Sequence, residues 1–267
     1  NQDNRMKAYS LRYTAINIGG ALGPVLGAYL ASTSSNMTFI MTGSTYLIYG
    51  IVMLILMRRF TSSDKQQQVK NTFYEAFTIV KRDKAFRYLI LGIILVNIGY
   101  SQMDSNLPQH IEVSLENGIF LYSVLLSINA ILVVLLQLPI THYVEKFKPM
   151  NVMIFGSITL SVGLIGFSLV NGWVTSIIAM ALFTIGEILI FPSNSLLIDQ
   201  LAGEQLRGIY FGASQFRKIG NFVGPIIGGI LLDHTGGQQM FLIITIMTLG
   251  SIFFFTLWSR MPSKNIN

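Results

Sequence analysis

Two stretches, INIGGALGPVLG at Ile16–Gly27 and RKIGNFVGPIIGG at Arg217–Gly229, carry the same glycine pattern. In each, three glycines fall four residues apart: Gly19, Gly23 and Gly27 in the first, Gly220, Gly224 and Gly228 in the second. A proline follows the middle glycine in both, Pro24 and Pro225, and the offset is 201 throughout. Glycines at this spacing share one face of a helix and leave a smooth groove into which another helix can settle closely. The proline removes a backbone donor and permits a bend. The pattern therefore predicts two bent, closely packed helices related by a long internal repeat.

What lies between them sets the class of protein. Of 267 residues, 52% are hydrophobic and 11% charged, against roughly 25% charged in an ordinary soluble domain. Mean hydropathy is +0.57. Eight apolar stretches approach the ~20 residues needed to cross a bilayer: Leu11–Ala31, Phe39–Met57, Tyr88–Leu107, Phe120–Ile140, Val152–Val170, Val174–Ile198, Tyr210–Leu232 and Met240–Trp258. They mostly lack the polar face that a soluble amphipathic helix shows. The expectation is an all-α polytopic membrane protein with eight transmembrane helices.

Net charge is +6, which in a soluble protein would suggest nucleic acid. The placement of the charges excludes that reading. With a cytoplasmic amino terminus, all 18 Lys and Arg fall in inner segments or on the inner side of a crossing, Arg217 and Lys218 being the deepest. The outer connections around STSSNMT, DSNLPQHIEVSLENG, VNG and DHTGGQQ contain none. This is the positive-inside pattern and places both termini in the cytoplasm. There is no cysteine, and the three histidines, His110, His142 and His234, are scattered. No metal site, Walker loop or catalytic constellation is present, so neither an enzyme nor a cofactor is expected.

The repeat unit is six helices. The chain shows two helices of one unit, residues 1–59, a polar basic linker, 60–86, and all six of the next, 87–267. Within the linker, Phe73, Ala76, Phe77 and Val80 have the spacing of a short amphipathic helix; a plain solvated connection fits as well.

Two six-helix halves joined by a long cytoplasmic loop resemble the major facilitator superfamily, whose halves are parallel repeats. GGALGPVLGAYL is similar to the fifth-helix motif of its drug:proton antiporters, with Ala28 where a second glycine is common. RGIYFGASQFRKIGNFVGPIIGGILLD resembles their eleventh helix. THYVEKFKPMNVMIFG resembles a degraded loop motif, with Glu145 and Lys146 in its acidic and basic positions and Lys148 replacing a glycine. RDKAFRYLILGIILVNIGYSQMDSNLPQHI is similar to the linker and seventh helix of bacterial multidrug exporters. The resemblance implies that these are the fifth to twelfth of twelve helices, the first four being absent from this chain.

A carboxylate in the bilayer interior is costly, which makes it a functional candidate by default. Glu187 is the one acid deep within any predicted crossing, and Arg217 and Lys218 fall at comparable depth on the next. Three roles fit: an ion pair between Glu187 and one of those cations, a contact to charged cargo, or a proton carrier. The resemblance counts against the third, since family proton carriers more often lie on the first or fourth helix. It also implies a central cavity, with Asn97, Tyr100, Asp104, Glu187 and Asn194 as wall candidates. Asn129 and Gln137, with Gln215, Arg217 and Asn221, join them. Each single polar residue equally fits an interhelical hydrogen bond, and Asp104 fits simple hydration near a helix end. Asp199 and Arg207, with Glu145 and Lys146, are candidates for cytoplasmic gate ion pairs.

The expectation is a proton-coupled exporter of drugs or other small amphipathic molecules in a bacterial plasma membrane. Its partners would be the lipid bilayer, a small-molecule substrate and protons. An importer of a sugar, peptide or organic anion is the alternative, favoured if Arg217 and Lys218 face the cavity. A non-transporting receptor or assembly subunit is a third reading, against which the kinked glycine helices argue.

Overall fold

The computed structural model describes residues 2–33, 35–60, 78–79 and 81–261. The helices are α1 (Gln2–Thr33), α2 (Ser35–Phe60), α3 (Lys84–Tyr100), α4 (Gln102–Ser105), α5 (Leu107–Ser114), α6 (Gly118–Val144), α7 (Pro149–Ser168), α8 (Trp173–Ala213), α9 (Lys218–Thr235) and α10 (Gly237–Ser259). A 3-10 turn, Ser214–Arg217, joins α8 to α9. Phe73, Ala76, Phe77 and Val80, the residues of the candidate amphipathic segment, lie outside the described residues.

Among the described residues, six helical stretches are long and apolar enough to cross a membrane: Phe39–Arg58, Lys84–Ser105, Gly118–Val144, Pro149–Ser168, Trp173–Glu204 and Gly237–Ser259. The chain is an all-helical, multi-pass membrane protein. The other two expected crossings, Leu11–Ala31 and Tyr210–Leu232, are helical but do not join that set. Arg12, Asn17 and a run of glycines dilute the first. The second is interrupted by the 3-10 turn and carries Arg217, Lys218 and five glycines.

The chain divides into two compact units, Asn1–Asn17 with Asn71–Asn267, and Ile18–Lys70. In the smaller unit, the described side chains of α2 between Phe39 and Arg58 are almost all exposed, Phe39 at 77% and Tyr46 at 73%. A helix apolar on every side needs lipid or an apolar partner around it. In the larger unit, α3 packs on α9 and α10, α10 on α7, α7 on α8, and α8 on α6. Phe86, Phe167, Phe183, Phe241 and Phe255 are fully buried in its core.

Glycines set the closest approaches. A Cβ on Gly163 would stand 2.6 Å from the Phe183 backbone nitrogen, and one on Gly186 2.5 Å from that of Leu160, so α7 and α8 meet backbone to backbone. The second glycine motif does the same for α9 against α3. A Cβ on Gly220 would run into the Ile94 carbonyl oxygen, one on Gly224 into Ser101 Oγ, and one on Gly228 into Gln102 Oε1. The seam is closed by Gln102 Nε2, which donates to the Gly224 carbonyl at 3.0 Å. In the first motif, a Cβ on Gly19 would meet nothing within 4 Å. Gly23, Pro24 and Gly27 continue α1, and their surroundings lie outside the described residues.

Two local devices fix the ends of helices near the amino-terminal end of the bundle. Asp83 caps α3, accepting from Phe86 N at 3.0 Å and from Tyr210 Oη at 2.7 Å. Gly203 interrupts α8 with φ +62° and ψ −178°, a conformation that only glycine adopts without strain.

At the opposite end, His110 is buried on α5, its Nε2 3.1 Å from the Phe167 carbonyl and its ring tilted against Phe241. Burial holds the imidazole below its ordinary pKa of 6.5, the carbonyl opposing this only in part. The unfolded chain therefore binds the proton more readily, and stability rises with pH across this window. We expect thermal stability in detergent to fall as pH is lowered from about 7.5 through 6.5 to about 5, and to fall less in His110→Gln. Equal slopes in the two proteins would exclude the residue as the cause.

Candidate functional site

The site begins with the first four turns of α1. Met6, Ser10 and Thr14 are buried there, with Tyr13 and Asn17 half-buried, while Leu11, Arg12, Ala15 and Ile16 are exposed. This i, i+4, i+8 register turns one narrow face of α1 onto the six-helix bundle. Its contacts are polar. Ser10 Oγ lies 2.6 Å from Thr141 Oγ1 on α6, Arg5 Nη1 donates to Asp199 Oδ2 at 2.7 Å, and Lys7 Nζ stands 3.7 Å from Glu145 Oε1. Tyr13 Oη donates to Glu187 Oε1 in a very short hydrogen bond.

Glu187 is fully buried on α8. Tyr100 Oη, from α3, donates to the same Oε1 at 2.9 Å. Asn129 Nδ2, from α6, donates to Oε2 at 2.8 Å and also reaches Thr184 Oγ1 at 2.9 Å. Four helices thus converge on one carboxyl group, and every donor is neutral. The ion pair with Arg217 or Lys218, one of the three roles open to Glu187, is not formed, and no carboxylate stands within ion-pair reach of either cation among the described residues. The cause is local. The chain before α9 is a 3-10 turn rather than a continuous α-helix, so counting residues along a regular helix misplaces both side chains.

Arg217 and Lys218 instead line a cavity of about 220 Å³, together with Arg12, Asn97, Asn221 and Ser195. Its apolar wall is aromatic. Tyr13 stacks on Phe191 at 5.6 Å between ring centroids, and Tyr100 meets Phe191 edge-on at 4.9 Å and stacks on Phe183 at 5.7 Å. The two phenols that hold Glu187 are therefore also part of the cavity wall. Asn97 is tied to the Ile93 carbonyl at 2.9 Å.

Other sequence candidates lie elsewhere. Asp104 is exposed, at the start of α4. Asn194 is buried with its Oδ1 unpartnered, and Gln137 is buried, its Nε2 donating to Thr141 Oγ1 at 3.2 Å and to the Ile188 carbonyl at 3.5 Å. Gln215 is exposed and donates to the Phe211 carbonyl at 3.3 Å. None of these four lines the cavity.

At the amino-terminal end of the bundle, Asp199, 2% exposed, is held between Arg5 and Arg207, whose Nε lies 2.5 Å from Asp199 Oδ1. Burial and this carboxylate push the Tyr9 phenol beside it up to about 12. Glu145 is approached by His142 Nδ1 at 3.0 Å and by Lys7. Lys146 does not pair with it. Its ammonium sits over the Tyr143 ring, 4.1 Å from the centroid, a cation–π contact.

The residues that sequence reasoning passed over are those of α1. Arg5, Lys7 and Arg12 read as inner-surface charge, and Tyr9 and Tyr13 are not singled out. The available signal was the polar register of Ser10, Tyr13, Thr14 and Asn17 down one face of a helix otherwise destined for lipid.

The sequence profile of the Major Facilitator Superfamily matches residues 1–218. The chain is 35% identical over 250 residues to the MFS-type transporter YqjV of Bacillus subtilis strain 168, itself uncharacterized, covering 92% of this chain and 61% of the relative. It is 24% identical over 250 residues to Multidrug resistance protein 1 of the same organism, covering 92% and 63%. It is 24% identical over 252 residues to the Na(+), Li(+), K(+)/H(+) antiporter of Planococcus maritimus, covering 83% and 58%. The chain spans about three-fifths of the length of the curated relatives it matches.

Proposed function

The chain belongs to the major facilitator superfamily, a family of transporters rather than enzymes, and from that premise we propose that it serves proton-coupled export of amphipathic small molecules by alternating access. In this reading its helices stand as the fifth to twelfth of twelve, all eight apolar stretches cross the bilayer, and both termini are cytoplasmic. The membrane is a bacterial plasma membrane. The similarity to a multidrug resistance protein and to a cation/proton antiporter supports export and proton exchange.

The observation that carries the reading is Glu187 and its neutral donors. A buried carboxylate paired with a cation is held in one charge state, whereas hydroxyl and amide partners accommodate both the anion and the acid. Tyr13 supplies one donor from α1, and the other donors come from α3 and α6. If α1 withdraws from the bundle during rocking, the carboxylate loses that donor, and its return restores it. Closure of α1 and the charge state of Glu187 are thereby linked through one hydroxyl.

The test uses membrane vesicles with an acidified lumen. Adding amphipathic cargo of either charge is expected to collapse the pH gradient, and no collapse with any of them would overturn the reading. Flux in the opposite direction would favour the importer, which the cations of the cavity make the second reading.

The Arg5–Asp199–Arg207 cluster is read as the lock on the cytoplasmic end. Because the chain has no cysteine, Ser10→Cys reports on that lock without background. Both arginines are nearly half exposed, so the cluster contributes less than a dry one, about 1.5–2 kcal/mol for the Arg5 hydrogen bond and the Arg207 ion pair together. Asp199→Asn is expected to raise maleimide labelling at position 10 about tenfold, by the same estimate. Unchanged labelling would make the cluster merely structural.

A further inference from the structure

The cavity beside Glu187 has a definite electrostatic character. Arg12, Arg217 and Lys218 line it from α1, the 3-10 turn and the start of α9, and no carboxylate pairs with any of them among the described residues. Among the described residues no acid lines the cavity; Glu187, held by the wall residues Tyr13 and Tyr100, does not itself line it and has both oxygens engaged. A molecule entering the cavity therefore meets guanidinium, ammonium, amide and aromatic groups, but no free carboxylate. Unpaired cations in a cleft with low-dielectric walls focus a positive potential that attracts anions and opposes cations. Guanidinium groups in particular match oxyanions in geometry as well as charge.

We infer that the cargo carries an acidic oxyanion group, bound by Arg217, Arg12 and Lys218, while its apolar body lies against Tyr13, Tyr100 and Phe191. The inference rests on reading this cavity as the cargo site. It concerns the charge of the cargo and holds for either direction of transport. Arg217 is the central anchor, since it is the most enclosed of the three, Arg12 and Lys218 being exposed. A planar aromatic acid fits the two stacked phenol–phenyl pairs of the wall.

The experiment compares three probes of one shape and different charge: 1-naphthoate, 1-naphthylmethylammonium and 1-naphthalenemethanol. Binding is measured by titration to the full chain in nanodiscs of zwitterionic lipid, so that no anionic headgroup competes for the cations. Naphthoate is expected to bind at least tenfold more tightly than either of the others. Arg217→Gln should remove most of that preference and Arg217→Lys should restore part of it. Arg12→Gln, at an exposed position that leaves the fold undisturbed, should weaken naphthoate selectively. Binding of the ammonium probe as tight as or tighter than that of naphthoate, no binding of naphthoate, or an unchanged preference in both Gln variants would overturn the inference. Adding an anionic lipid to the nanodisc separates sources: a soluble acid keeps its site at low lipid fraction, whereas displacement at stoichiometric lipid would make a headgroup the occupant and overturn the assignment to cargo.

Flux measurements keep this apart from the transport reading. Gradient-driven movement of the cation alone would sink the anion inference and leave the exporter standing. Tight, Arg217-dependent naphthoate binding with no driven flux of any probe would do the reverse.

Discussion

Glu187→Gln is expected to abolish gradient-driven transport while leaving folding and cargo binding intact. Glutamine has the shape of the acid, and its carbonyl oxygen accepts from Tyr13 and Tyr100 as Glu187 Oε1 does. Only the Asn129 side meets an amide where an oxygen stood, and a rotation of the Asn129 amide relieves that contact. What is lost is the proton. Driven flux in vesicles should fall to the level of protein-free vesicles, while cargo exchange down its own gradient continues and the unfolding temperature shifts by no more than about 4 °C, corresponding to ~1 kcal/mol. Tyr13→Phe should give a partial version of the same defect, because Tyr100 and Asn129 remain. Retention of driven transport by Glu187→Gln would reduce the carboxyl group to a structural hub.

Gly220→Leu should be the most destabilising single change in the bundle. A Cβ at this position runs into the Ile94 carbonyl oxygen and stands 2.8 Å from Asn97 Cβ, both on α3. The first obstacle is backbone and cannot yield by changing rotamer, so the two helices must part along the whole Gly220–Gly224–Gly228 seam. Overpacking of this kind costs about 3 kcal/mol or more. The control is Gly212→Leu, where a Cβ meets nothing within 4 Å and the change should stay within ~0.5 kcal/mol. Unfolding in detergent, followed by loss of helix signal, compares the two directly. Similar midpoints would mean that the seam is looser than the glycines imply.

The helices were legible because the bilayer imposes a long apolar run on each crossing, and Phe39–Arg58 or Gly118–Val144 cannot be mistaken for anything else. The second glycine motif was legible too, since spacing alone puts Gly220, Gly224 and Gly228 on one face. Glu187 could be singled out by its isolation in an apolar stretch. Its partners could not. Tyr13 lies 174 residues away, and a tyrosine in a membrane helix is uninformative until its hydroxyl has an address. Two candidate pairings do not form, and for one reason. Pairing Glu187 with Arg217, or Glu145 with Lys146, assumes that opposite charges close in sequence or depth find each other. A single turn of 3-10 helix aims Arg217 into a cavity, and an aromatic ring captures Lys146. Side-chain direction, which these choices depend on, is set by tertiary packing rather than by local composition.

The lengths of α6 and α7 have a consequence for the membrane itself. Helix α7 is 20 residues long, about 30 Å at 1.5 Å per residue, which equals the hydrocarbon thickness of a typical bilayer. Helix α6 has 27 residues, about 40 Å by the same measure. The two cannot both lie along the membrane normal with their apolar surfaces matched. α7 satisfies an unperturbed bilayer upright, so α6 must lean or project, or the lipid beside it must thicken. Hydrophobic mismatch of this sort costs fractions of a kcal/mol per Å. Acyl-chain length is thus a variable that bears unequally on different parts of the protein, thin bilayers straining α6 and thick ones α7.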